Sequence, residues 1–340
     1  MYEAFFGLRE LPFQLTPNPR FLILNPGHRE ALATLRYGLT SSLGITLLLG
    51  EAGTGKTTLL RAALQAERRP EDRLAVLSNP TLTPADFYEI LADRFGLSDT
   101  SGSKGKFLLA FEHELLERHR AGGLTAVVID EAQSLTYELF EEIRLLANLE
   151  TATAKLVNVV LVGQPELADR LNDPSLRQLK QRIILRCSLA PLGLKWTASY
   201  IASRLRVAGA DPTGVFTKDA VVAIYEASRG IPRTIGVVCE NALLAGYAAQ
   251  RKPVDKSIVD DVCRDLDLRV NGRPPHKDGA LPDHIPAAPE RPAVVQPRLR
   301  RVASRVWIAS GSKESLPESA KENDLETPVV ADSSRMFRFF

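Results

Sequence analysis

Gly50-Glu51-Ala52-Gly53-Thr54-Gly55-Lys56-Thr57 fills every fixed position of the pattern G-x-x-x-x-G-K-[ST], and the residues on either side of it decide the fold. Ile45-Thr46-Leu47-Leu48-Leu49, immediately before, predicts a buried strand, and Thr57 to Gln65, immediately after, predicts a helix. A loop of this composition binds phosphate in just that strand–loop–helix setting. Its glycines let the backbone approach an anion closely. The N–H groups then point inward, and the following helix start adds partial positive charge. Lys56 is expected to reach the β- and γ-phosphates, and the Thr57 hydroxyl to ligate Mg²⁺. The candidate binding residues are Gly50, Glu51, Ala52, Gly53, Thr54, Gly55, Lys56, Thr57 and the next residue, Thr58. A plain turn would explain the glycines but not the Gly-Lys-Thr ending. The expectation is a chain that binds a nucleoside triphosphate.

Working outward, strand-like runs recur at Ile45–Leu49, Leu74–Leu77, Thr125–Ile129, Leu156–Val162 and Ile183–Leu189. Short runs of Leu, Val and Ile suit strands covered on both faces of a parallel sheet. Helical patterns separate them: Thr83 as N-cap with Pro84 at the first position and an end near Phe95, then Lys106–Arg120, then Thr136–Asn148. This alternation predicts an α/β layer, a P-loop core with a parallel five-stranded sheet. After Pro191 only helical spacing remains, over Lys195–Val207, Lys218–Ser228, Thr234–Ala249 and Ser257–Leu268, which predicts a small all-helical lid domain. The expected boundaries are 1–192 for the α/β domain with an N-terminal extension, 193–270 for the lid and 271–340 for a tail. That tail holds nine of the chain's 22 prolines and few apolar residues, so it is expected to be disordered. Arg298-Leu299-Arg300-Arg301 with Val306-Trp307-Ile308, and the aromatic Met336-Phe337-Arg338-Phe339-Phe340, are either docking elements on it or plain solvated tail.

Further candidates lie at the strand ends. Thr125–Ile129 runs into Asp130 and Glu131, about 70 residues beyond the loop. Asp130 is expected to hold Mg²⁺, and Glu131 to orient and partly deprotonate the attacking water. A pair of carboxylates starting a helix is the competing reading. Gln164, after the run Asn158–Gly163, is placed either to bond the γ-phosphate or water, or to serve as the turn residue before Pro165. Arg182 precedes the last strand and suits an arginine finger donated to a neighbouring subunit, worth about 10³–10⁵-fold in rate. Arg177 competes for that role, and an ordinary surface arginine is the plain alternative. In Gly230-Ile231-Pro232-Arg233, Arg233 sits at a helix start and is placed either to sense a γ-phosphate or to be a plain surface arginine, which the helix dipole mildly disfavours there.

Bulk properties bound the rest. The 340 residues are 44% hydrophobic and 25% charged with net charge +2, which is ordinary globular composition and no global field for nucleic acid or anionic membrane. Three scattered cysteines predict reduced thiols, and five histidines without ligand spacing imply no structural metal. No leader pattern and no run of ~18 apolar residues is apparent, so a soluble cytoplasmic chain is expected.

Together the loop, the Asp-Glu strand, the polar strand end, the pre-strand arginine and Gly-x-Pro-Arg resemble an AAA+ ATPase. Tyr2-Glu3-Ala4-Phe5-Phe6-Gly7-Leu8, Pro12-Phe13, Thr16-Pro17-Asn18-Pro19-Arg20-Phe21, His28-Arg29-Glu30-Ala31-Leu32, Asp130-Glu131-Ala132-Gln133 and Val162-Gly163-Gln164-Pro165-Glu166-Leu167 resemble the general secretion pathway protein A family over roughly residues 1–268. The resemblance implies ATP with Mg²⁺, a homo-oligomer, and service to bacterial envelope machinery. Longer members add a transmembrane helix and a periplasmic peptidoglycan-binding domain, and assist assembly of the type II secretion pore. Shorter relatives, which this chain resembles better, are associated with exopolysaccharide export and exosortase-type sorting. The implied partner is an inner-membrane secretion or polysaccharide export protein, reached peripherally from the cytoplasm.

Two function classes follow. One is an ATP-hydrolysing assembly or regulatory factor acting on protein partners. The other is a DNA-associated ATPase of the transposition-regulator type, which predicts a basic stripe and salt-dependent binding. Net charge gives nucleic acid no support, so it is the less favoured partner. A processive helicase, suggested by Asp-Glu-Ala-Gln, is set aside because only one α/β domain fits in the chain.

Overall fold

Five short apolar strands lie side by side in the computed structural model, which describes residues 1–14, 19–21, 23–66, 72–78, 81–98, 100 and 102–268. They are β1 (Ile45–Gly50), β2 (Arg73–Leu77), β3 (Thr125–Ile129), β4 (Asn158–Gly163) and β5 (Ile183–Leu189). All pairings are parallel, and the order is β2-β3-β4-β1-β5. The expected parallel five-stranded α/β core is present. One strand starts later than its apolar run: Leu156 gives its N–H to the Leu149 carbonyl, and Lys155 bridges Glu150 in antiparallel fashion, so β4 opens only at Asn158.

Alternate side chains of each strand feed two cores, as period-two geometry requires. Leu47, Leu49, Val127, Ile129, Val159 and Leu161 face one side. There they meet α4 (Pro84–Phe95), α5 (Lys104–Arg120) and α6 (Tyr137–Leu146). Leu48, Val128, Val160, Val162 and Cys187 face the other, under α2 (Pro26–Thr40) and α3 (Lys56–Ala66). Burying one such Leu or Val stabilises by roughly 1.5–3 kcal/mol. The helices start on local signals. Thr83 and Asp86 form a reciprocal capping box, while Asn25, Ser103 and Thr136 each accept an N–H of the first turn. The helix α2 has no counterpart among the sequence expectations, although Asn25 and Pro26 mark its start and Ala31, Leu32, Leu35 and Leu39 recur at helical spacing on its buried face.

Two short helices, α7 (Pro165–Arg170) and α8 (Arg177–Lys180), lead to β5. Beyond it, α9 (Leu194–Val207), α10 (Lys218–Ser228), α11 (Pro232–Ala248) and α12 (Lys256–Asp265) build the helical layer around Ile201, Leu205, Ile224, Ile235, Val238 and Val259.

One expectation is corrected here. The N-terminal extension, expected with the α/β layer, supplies Tyr2, Phe6, Leu8 and Phe13 to the core of the helical layer instead. Aromatic residues so early need an apolar host, and the sheet faces are already covered by α2 to α6. Tyr2 donates to Glu240 at 2.7 Å, Arg9 N–H to the Ala208 carbonyl at 2.7 Å, and Lys252 to the Phe5 carbonyl at 3.1 Å. Arg204 holds the exit of this segment through the Pro12 carbonyl at 2.8 Å and the Phe21 ring at 5.0 Å. The first short helix, α1 (Glu3–Phe6), belongs to this clip.

The described residues all fall in one unit, Met1–Asp278; a second, Gly279–Phe340, lies outside the described residues, as does the expected tail from 271. No helix among the described residues is long and apolar enough to cross a membrane.

Candidate nucleotide site

Because every strand is parallel, the segments that follow β3, β4 and β1 emerge at one edge of the sheet, side by side. Ligands bind at that carboxyl edge in open α/β sheets. Leu49 pairs with Gly163, and Ile129 with Leu161, so the glycine-rich loop, Gln164 and the Asp130-Glu131 pair become neighbours.

Gly53 takes φ +80°, a left-handed conformation that L side chains rarely adopt. Lys56 starts α3, is 5% exposed, and donates to the Gly50 carbonyl at 2.8 Å and the Glu51 carbonyl at 3.1 Å. Burial pulls its ammonium below the ordinary lysine range, against the opposing pull of the Glu131, Asp130 and Glu166 carboxylates. Thr57 donates its hydroxyl to Asp130 Oδ2 at 2.8 Å, across 73 residues of chain. This joins the loop to the end of β3. Asp130 itself is 6% exposed and held by its own N–H to the Leu77 carbonyl at 2.9 Å.

Glu131 stands in the left-handed region at φ 56°, ψ 37°, unusual for a residue with a side chain and typical of constrained functional positions. Its N–H reaches Asp130 Oδ1 at 3.0 Å. Its Oε2 accepts from Gln164 Nε2 at 3.4 Å and from Gln133 Nε2 at 2.6 Å.

The lid closes over the loop from the helical layer. Arg233, in the first turn of α11, is exposed, and its N–H donates to the Gly53 carbonyl at 3.2 Å. A Cβ built on Gly53 would fall 2.7 Å from that of Arg233. The lid is itself anchored at Gly230, whose carbonyl accepts Leu192 N–H at 2.8 Å and whose own Cβ, if present, would fall 1.8 Å from the Leu192 oxygen.

The structure therefore brings together Lys56, Thr57, Asp130, Glu131, Gln164 and Arg233. It does not bring Arg182 to them. Arg182 lies at the opening of β5, beside Gly44 at the opposite edge of the sheet, where its charge acts on Glu150. Arg177 is exposed at the start of α8. Three residues near the site were not among the sequence candidates. Gln133 and Glu166 sit inside the quoted motifs without an assigned role. His28 is 5% exposed, bonds Asn25 Oδ1 at 2.7 Å and also bonds the Thr54 backbone; burial holds its pKa below the ordinary histidine value. Like the other two it lies inside a quoted motif, His28-Arg29-Glu30-Ala31-Leu32, without an assigned role.

The donor set suits Mg²⁺. A threonine hydroxyl and a carboxylate within hydrogen-bonding distance offer hard oxygen ligands, and no group of three His, Cys, Asp or Glu able to hold a metal occurs among the described residues. Mg²⁺ is commonly bound through one or two protein oxygens together with substrate phosphates and waters.

Strand order 2-3-4-1-5 with the phosphate loop on the fourth strand and a helical lid reaching back to it is the architecture of the AAA+ class of P-loop ATPases. The family model described as AAA domain matches residues 39–171. General secretion pathway protein A of Aeromonas hydrophila is 45% identical over 250 residues, covering 73% of this chain and 45% of that protein. Over that region the chain belongs to the general secretion pathway protein A family of AAA+ ATPases. It spans about 45% of the length of this relative. Among solved structures, Cdc6p from Pyrobaculum aerophilum superposes with TM-score 0.60 at 19% identity, over 75% of this chain and 70% of that one. The Aeropyrum pernix ORC2 protein, with ADPNP and ADP, gives 0.57 at 17%, over 74% and 71%. These two share the fold.

Proposed function

We propose that the chain is a Mg²⁺-dependent ATPase that serves as an assembly or regulatory factor for a bacterial secretion or exopolysaccharide export system. The observation that carries the catalytic half is the Thr57–Asp130 bond at 2.8 Å, which sets both proposed Mg²⁺ ligands beside Lys56 and Glu131. Lys56 would bind the β- and γ-phosphates together with the loop N–H groups, and Thr57 and Asp130 would hold the cation. Bound there, Mg²⁺ supplies neutralisation of phosphate charge.

Glu131 takes a proton from water as the water oxygen bonds the γ-phosphorus; the bond to the β,γ-bridging oxygen breaks and ADP departs with that electron pair. Gln164 orients the water or a γ-oxygen, Arg233 adds positive charge from the lid, and Arg182 serves a neighbouring subunit of a homo-oligomer. The family supports the export half of the reading, through the name of its 45%-identical relative. The partner is an inner-membrane export protein, contacted from the cytoplasmic face.

Calorimetry and turnover test the chemistry. Lys56→Ala is expected to stay folded and lose ATP binding. Glu131→Gln is expected to bind ATP and to turn over at least about a hundredfold more slowly. Unchanged affinity in the first, or wild-type turnover in the second, would reject the assignment.

A further inference from the structure

Between the acidic pair and the end of β4 lies one side chain that touches both. Gln133, on the single turn Ala132–Ser134, donates Nε2–H to Glu131 Oε2 at 2.6 Å and accepts Gln164 N–H on Oε1 at 3.1 Å. The two partners fix which end of the amide is which. A carboxylate only accepts and a backbone N–H only donates, so the opposite flip would break both bonds. Space for the amide is built in: a Cβ on Gly163 would fall 3.0 Å from Gln133 Oε1 and 2.6 Å from Leu167 Cδ2. The main chain of Gln133 is held as well. Its carbonyl accepts Arg170, whose guanidinium lies 5.1 Å from the Phe140 ring centre and 5.3 Å from that of Tyr137. Ser134 N–H closes the turn on the Glu131 carbonyl at 2.9 Å, with Glu131 in its left-handed conformation.

We propose that Gln133 is a positioning residue for hydrolysis: its amide fixes the Glu131 carboxylate and couples it to the strand end that carries Gln164. Both glutamine amides bond the same oxygen, Oε2, which leaves Oε1 free of both to take the proton from water. Movement of the β4 end reaches the Glu131 carboxylate through one rigid amide. The proposal rests on the reading of Glu131 as general base.

The test uses the full chain with four variants: Gln133→Leu, Gln133→Glu, Glu131→Gln, and Gln133→Leu in the Glu131→Gln background. Gln133→Glu keeps the volume and the acceptor for Gln164 N–H, yet turns a carboxylate toward Glu131. Both single Gln133 variants are expected to bind ADPNP with unchanged affinity and to lose about tenfold or more in kcat. In Gln133→Glu the acidic limb of the kcat–pH profile moves to higher pH, because two facing carboxylates retain a proton longer. In the double variant, Gln133→Leu causes no further loss. Wild-type kcat in Gln133→Glu beside an inactive Glu131→Gln would overturn this proposal and leave the general base standing. An additive loss in the double variant would overturn it too. Wild-type turnover in Glu131→Gln would remove both.

Discussion

His28 shows how a single buried side chain ties stability to pH. Its imidazole lies between Asn25 Oδ1 and the Thr54 backbone, and burial lowers its pKa below the ordinary 6.5. Above that value both the native and unfolded chains hold it neutral. As pH falls through 6.5, the unfolded chain takes up a proton that the native site resists. Stability therefore declines on acidification, and the loss continues until the lower native pKa is reached. His28→Gln is expected to flatten part of this decline when Tm is followed from about pH 7.5 to pH 5.5. Equal slopes in the two proteins would show that His28 does not carry it. The residue scale is also where sequence reading ended soonest. Lys56, Thr57, Asp130 and Glu131 declare themselves by motif, because phosphate chemistry demands those types in that spacing. Gln133 does not: an amide gains meaning only from what its two ends face, and Gln164 N–H is 31 residues away.

At the scale of elements, the lid is fastened by a contact that tolerates no side chain. Gly230 combines φ +75° with the Leu192 oxygen 1.8 Å from where its Cβ would stand. Gly230→Ala must displace the start of α11, and with it Ile231 and Arg233, which rest on Gly53. It is expected to cost about 1–3 kcal/mol and to weaken ATP binding. Gly96→Ala is the control, since Gly96 has a similar φ of +68° but nothing within 4 Å. Its cost should be strain alone, with nucleotide affinity unchanged, as thermal melts and calorimetry would register. Equal effects from the two would argue against the close contact. Most elements were legible: β3 and β5 match their apolar runs, and Thr83, Pro84 and Thr136 mark real helix starts. The element missed is α2. Its cap at Asn25-Pro26 and its apolar residues Ala31, Leu32, Leu35 and Leu39 form a helical pattern, which the expectations passed over because the strand–helix alternation they follow begins only at Ile45.

For the whole molecule, a β1 of six residues rises roughly 20 Å, so Arg182 at one edge of the sheet does not serve the loop at the other. A finger there works only in a neighbour. Mixing Arg182→Ala with Lys56→Ala subunits is expected to restore activity that neither has alone, measured as ATP turnover against concentration. Full activity of Arg182→Ala at monomeric dilution would reject the assignment and turn attention to Arg177. The N-terminal clip was the least legible feature at this scale. Its aromatic residues are plain in the sequence, but their host is not, because Tyr2 and Glu240 stand 238 residues apart. During synthesis that separation becomes a delay. At 5–20 residues per second, roughly 12–48 s pass between the emergence of Tyr2 and that of its acceptor. Until α9, α10 and α11 have emerged, Tyr2, Phe6 and Phe13 travel without the helices that will bury them, and all five strands of the sheet are made before those helices. The Tyr2–Glu240 fastening forms only once α11 has emerged, and a nascent chain stalled before α11 would present those rings as a handle for chaperones.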